Sequence, residues 1–269
     1  MRWLRSHVVL ILGLLVLIYT FVPISIVVLM SFNKLPSEQS KIYKFNQFTL
    51  QNWLHPCADP SMCQAVGRSV EIGLLATLGA TVLGTLAAFA LVRHQFAGRS
   101  STNVLIFLPM AAPEIVMGSS LLALFVAAGF AGQLGFVTIL IAHIMFCLSF
   151  VVVTVRSRLA GLSDTLEQAA MDLYATPNQT FWRVTFPLVF PGILGAALLS
   201  FSLSFDDFII TNLNAGTTTT FPMYVWGVSR RTIPMQINVV GTVMFMISIL
   251  IVVGGEVTSR RRNAKLAAA

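Results

Sequence analysis

Charged side chains are scarce in this sequence. Asp, Glu, Lys and Arg together make up 10% of its 269 residues, against about 25% in an ordinary soluble domain. That deficit and the 56% of hydrophobic residues exclude one globular core in water and point to a membrane protein. Cysteine is nearly absent, with three residues, and neither these nor the four histidines fall at metal-ligand spacing. No nucleophile, base or metal cluster is assembled, so no catalytic residue is assigned and a membrane-embedded enzyme is disfavoured. The phosphate-binding pattern GxxxxGK[ST] is missing, so the chain has no ATP-hydrolysing site of that kind. Stretches between the apolar runs are too short for an ordinary soluble domain.

Long apolar runs are what the sequence does have. A helix needs about 20 such residues to cross the hydrocarbon layer. Six runs qualify, at about 8–30, 70–92, 104–127, 135–155, 188–213 and 237–257. The first follows Arg2 and Arg5 as a signal peptide would. It is longer than a typical signal core and lacks a small-residue cleavage site, so it reads as a retained helix. The net charge of +7 sits at the ends of these runs. With the N-terminus inside, the inner loops collect Arg2, Arg5, Arg93, Arg99, Arg156, Arg158, Arg183, Arg260, Arg261, Arg262 and Lys265. The outer loops keep Lys34, Lys41, Lys44, Arg68, Arg230 and Arg231. That bias puts both termini in the cytoplasm and calls for no nucleic acid. Cys57 and Cys63 then lie on the oxidising side, where either a local disulfide or two free thiols is compatible with the sequence. Cys147 lies in an apolar run and reads as a small hydrophobe.

Acids within the runs are the candidate functional groups, because a carboxylate at membrane depth needs a cavity, a partner or a pathway. Glu114 follows two prolines, Pro109 and Pro113, which predict a broken or kinked third helix. Asp206 and Asp207 fall inside the fifth run, and helical neighbours diverge by about 100°, so at most one faces a narrow pore. A cation pathway through Glu114 and one of these aspartates stands against structural pairing with neighbouring helices. Glu71 and Glu256 lie at run ends, near water. His143 reads as a packed hydrogen-bonding group. Gly79, Ala80 and Gly84, and Gly118, Ser119 and Ser120, are spaced for close helix contact.

The polar segment from about 160 to 187 reads as two short amphipathic helices joined by a turn. Residues 166–173 are Ala-rich, Thr176 suits an N-cap and Pro177 a first helical position. Phe181, Val184 and Phe186 can rest on the membrane end of the bundle. The segment resembles the EAA loop of binding-protein-dependent (type I) ABC importer permeases. In that motif Glu-Ala-Ala precedes a Gly and then an aliphatic residue shortly before Leu-Pro. Ala169, Ala170, Val184 and Pro187 match it in place. Gln168 stands for the Glu, with Glu167 one residue earlier, Tyr174 for the Gly and Phe186 for the Leu. The segments Phe48 to Trp53, Arg68-Ser69 and Ala88 to Arg93 are similar to the same family. Pro113 to Met117 and Leu203 to Asp207 resemble the second permease subunit of spermidine/putrescine importers.

The resemblance implies an all-α, six-helix permease fold, one domain over 1–269, in a bacterial inner membrane. It implies partners: a second permease subunit, an ATPase dimer carrying the ATP and magnesium, an extracytoplasmic solute-binding protein, and lipid. No cofactor is expected in this chain. The resemblance implies a role in alternating-access import of a small cation such as a polyamine. Related scaffolds carry iron, thiamine or sulfate, and a stand-alone secondary carrier is disfavoured because no internal repeat is evident. The resemblance assigns ATPase coupling to Gln168, Ala169, Ala170, Asp172, Leu173, Tyr174, Ala175, Thr176, Val184 and Pro187, while the acids within the apolar runs, Glu114, Asp206 and Asp207, are the substrate-path candidates.

Overall fold

Runs this apolar satisfy their backbone inside the hydrocarbon layer only as helices or closed barrels, and the computed structural model is helical. It describes residues 2–35, 44–230 and 233–267. Lys41 and Arg231 lie outside the described residues, as do the side chains of Arg2, Arg5, Glu256, Arg260, Arg261, Arg262 and Lys265. Twelve helices are described: α1 Arg2–Ser31, α2 Gln51–Leu54, α3 Pro60–Arg93, α4 Arg99–Ala111, α5 Glu114–Ala127, α6 Phe136–Ala160, α7 Asp164–Asp172, α8 Pro177–Thr180, α9 Phe186–Asp206, α10 Ile209–Asn214, α11 Phe221–Ser229 and α12 Gln236–Ala267. A π-helical turn, Phe181–Thr185, joins α8 to α9.

Five continuous stretches are long and apolar enough to span a membrane: Val8–Ser31, Pro60–Arg93, Phe136–Ala160, Pro177–Asp206 and Gln236–Gly255. The third expected span is instead the pair α4 and α5, bent by 110°. Pro113 has no N–H to donate and forces Ala112 into extended backbone, φ −76° and ψ 140°. The fifth span differs from expectation at both ends. It starts at Pro177 rather than near 188, because α8, the π-helical turn and α9 run on as one helix. It stops at Asp206 rather than near 213, because Asp207 is extended, φ −65° and ψ 126°.

The chain forms two compact units. The terminal unit, Met1–Cys63 with Val225–Ala269, pairs α1 with α12, with Phe21 edge-on to Phe245 at 6.2 Å. Its loop carries a two-stranded antiparallel pair, β1 Asn33–Lys34 and β2 Gln47–Phe48. Buried Asn52 donates to the carbonyls of Ser31 and Asn33, both at 3.0 Å, and Phe32 stacks between Phe48 and Trp53. Cys57 and Cys63 form a disulfide, which resolves the alternative left open by the sequence.

The central unit, Gln64–Tyr224, is built on α6. Ala142, Phe146, Cys147, Val151, Val155 and Leu159 are buried along it, facing Val189, Ile193 and Ala196 of α9. Cys147 is the expected small buried group, its Sγ donating to the Ser200 carbonyl at 3.5 Å. Gly84 sets the approach of α3: a Cβ there would sit 2.7 Å from Val151 Cβ. Gly118 does the same for α5, where a Cβ would lie 3.3 Å from the Ile210 Cα, whereas Ser119 and Ser120 are exposed.

Candidate functional site

Both helix breaks belong to the central unit, and α5 packs on α10. Non-helical backbone at membrane depth is tolerated where protein buries it or where it lines a cavity. Glu114 opens α5 directly after the first break, where an acid also favours the helix dipole. Asp206 closes α9 directly before the second. Glu114 lies within electrostatic reach of Asp206 and Asp207. Glu114 and Asp206 are exposed on this chain.

Asp207 is different. Its side chain is buried, and its carboxylate accepts from the Ile210 and Thr211 N–H groups, at 3.4 and 2.8 Å, and from Thr211 Oγ1 at 2.8 Å. Those donors are among the ones that the start of α10 cannot satisfy within its own helix. His143 Nε2 lies 3.3 Å from the same carboxylate and 2.9 Å from Thr211 Oγ1, and His143 Nδ1 lies 2.7 Å from Ser204 Oγ. The Thr211 hydroxyl gives its proton to Asp207, so it accepts from an Nε2–H. Nδ1 then accepts from Ser204. The Nε2–H tautomer thus satisfies every partner. His143 is the hydrogen-bonding group expected, and it ties α6 to α9 and α10. Of the three acids assigned to the path, Asp207 is buried within the protein, whereas Glu114 and Asp206 are exposed.

The second candidate site is the hairpin α7–α8. Ser163 caps α7 by accepting from Thr165 N–H at 3.3 Å. Thr176 and Gln179 form a reciprocal capping box at 3.4 and 3.0 Å, with Pro177 as the first helical residue, as expected. At the end of α7, Tyr174 N–H bonds Met171 O at 2.9 Å and Ala175 N–H bonds Ala170 O at 3.1 Å. This is a Schellman motif, which requires left-handed backbone at its C′ residue. Tyr174 supplies it with φ 63°, unique among the described non-glycine residues. The geometry explains the Gly of the EAA motif, and Tyr174 keeps it at a cost of about 1–2 kcal/mol. Tyr174 and Leu173 are 95% and 82% exposed, so little within this chain offsets that cost. After α8 the ladder slips: Phe186 N–H bonds Phe181 O, and Pro187 next in line has no N–H to restore the ordinary register.

Sequence reasoning missed how the hairpin is fastened. Arg93 Nη2 donates to Glu167 Oε1 at 2.6 Å and Nη1 to Asp164 Oδ1 at 2.8 Å. Thr185 Oγ1 donates to the same Glu167 oxygen at 2.7 Å. The available signal was Glu167 itself, an acid one residue ahead of the motif position, with Arg93 closing the second span. Among the described residues, no group of three His, Cys, Asp or Glu is placed to hold a metal.

The described residues form spanning helices, one span of them broken at Pro113, with an exposed helical hairpin between the fourth and fifth spans. The sequence pattern of the binding-protein-dependent transport system inner membrane component matches residues 80–259, and the chain belongs to that family. It is 33% identical over 247 residues to the spermidine/putrescine transport system permease protein PotC of Haemophilus influenzae, covering 91% of this chain and 93% of that one. It is 40% identical over 192 residues to the putrescine transport system permease protein PotI of Escherichia coli, covering 69% and 68%. The crystal structure of a bacterial ABC transporter involved in import of the polysaccharide alginate contains a chain of the same fold. It has TM-score 0.62 and 17% identity, covering 97% of this chain and 98% of that one.

Proposed function

We propose that this chain is one of two permease subunits in an ATP-driven importer of polyamines. The observation that carries the reading is its similarity, over nine-tenths of both chains, to a spermidine/putrescine permease. The chemistry agrees. Glu114 and Asp206 stand at the two helix breaks, and each carboxylate there offsets part of the cost of desolvating an ammonium group. Both units act as parts of one permease domain. ATP and magnesium bind to a separate ATPase dimer, on which the hairpin docks through Gln168 to Thr176, and an extracytoplasmic binding protein delivers the solute. Both termini and residues 156–187 face the cytoplasm, with the loop before α3 outside; the Cys57–Cys63 disulfide suits that oxidising side.

The test is copurification with the ATPase subunits, followed by hydrolysis measurements with the polyamine-loaded binding protein. The reading expects spermidine or putrescine to stimulate hydrolysis. Stable assembly with stimulation by an unrelated solute alone would reject the polyamine assignment and keep the permease role.

A further inference from the structure

Three elements of the central unit share one carboxylate. Arg93 is the last residue of α3, Glu167 lies on α7, and Thr185 lies on the π-helical turn that feeds α9. Arg93 and Thr185 both donate to Glu167 Oε1, at 2.6 and 2.7 Å. The side chains of Arg93 and Glu167 are 26% and 24% exposed, and that of Asp164 is 73% exposed. The Arg93–Glu167 pair is therefore partly shielded from water and charge-assisted, while Asp164 is a rim partner of little weight.

Beside this clasp, a groove of about 790 Å³ opens between α3 and the helix formed by α8, the π-helical turn and α9, lined by residues such as Val82, Leu86, Met171 and Trp182. The ring contact of Phe89 with Phe181, 5.5 Å between centroids, and the Arg93 fork link α3 to the hairpin across it. On its other side α3 is fitted to α6 at Gly84 and Val151.

We propose that Arg93 is a positioning residue that makes the hairpin and α3 one mechanical body. Displacement of the hairpin by a docked subunit then carries α3 with it. Without the fork, α7 pivots on the short links to α6 and α8, and the displacement is lost in the hairpin. The inference rests on the permease reading above. It concerns how motion leaves the hairpin, not what docks there.

Two measurements test it. The first is ATP hydrolysed per spermidine transported by the assembled importer in proteoliposomes. Arg93→Gln should assemble, keep hydrolysis and raise that ratio at least about fivefold, the low end of ordinary coupling energies. Thr185→Val should shift it in the same direction by less, and Arg93→Glu with Glu167→Arg should restore it. A purely structural role lowers hydrolysis and uptake together and leaves the ratio unchanged. That result in Arg93→Gln overturns the proposal, or in Thr185→Val should Arg93→Gln fail to assemble.

The second measurement needs no transported solute. Spin labels at Phe96 and Leu166, both exposed and outside the docking segment, should give one narrow distance in nucleotide-free and ATP-bound complex, broadened by Arg93→Gln. A distance that changes on ATP binding in the unsubstituted complex overturns the proposal. Failure of spermidine to be transported, with the distance constant, removes the polyamine reading and leaves the clasp standing.

Discussion

Asp207 and His143 approach to 3.3 Å in the interior of the central unit, and Thr211 hydrogen-bonds to both of them. That triangle holds the second helix break closed on α6. Asp207→Asn replaces an oxygen that accepts from the Thr211 N–H and Oγ1–H with an amide that satisfies only part of the set. It should cost about 1–3 kcal/mol, read as a lower Tm in detergent. Asp206→Asn removes a carboxylate exposed on this chain and should change stability by less than about 0.5 kcal/mol. Equal Tm losses for the two would contradict the division of labour between these neighbours.

Gly84 leaves no room for a side chain against Val151. Gly84→Val should cost about 1–3 kcal/mol through overpacking. Gly195→Ala is the control, since a Cβ there meets nothing within 4 Å. It should be neutral or slightly stabilising in thermal unfolding. A neutral Gly84→Val would place α3 farther from α6 than described.

Tyr174 holds left-handed backbone with its side chain almost wholly exposed. Tyr174→Gly should stabilise the hairpin by about 1 kcal/mol, seen as slower amide exchange in α7. If the side chain contributes to ATPase docking, the same variant binds the ATPase subunits more weakly although its loop is better ordered. Tighter binding would mean that Tyr174 is only a strained substitute for Gly.

The proposed sidedness has its own check. A cysteine at Asn178 should resist a membrane-impermeant thiol reagent in intact cells and react after permeabilisation. Cys57 and Cys63 should react from outside only after reduction. Ready labelling at Asn178 in intact cells would invert the topology.

Span number and capping chemistry were legible in the sequence because they are local. Apolar run length, the Pro109/Pro113 pair and the Thr176-Pro177 start of α8 act within a few residues. The fifth span was misjudged at both ends for a related reason. Residues 177–187 read as a separate short helix, yet the π-helical turn absorbs Pro187 and carries that helix on into α9. Asp207 looked like a helical residue because its helix-ending role depends on Thr211 and on His143, 64 positions upstream in another helix. Arg93 and Glu167 were likewise visible only as separate charges, since their pairing is made by the fold.

Polyamine import is read as ATP-dependent uptake of radiolabelled spermidine and putrescine into proteoliposomes holding the complete importer. Uptake should require both ATP and the binding protein. Glu114→Gln and Asp206→Asn, alone or together, should lower it while assembly stays intact. Normal uptake in the assembled double variant would remove these acids from the path. An assembled, ATP-hydrolysing complex that moves another solute but no polyamine would show that this permease does not import polyamines.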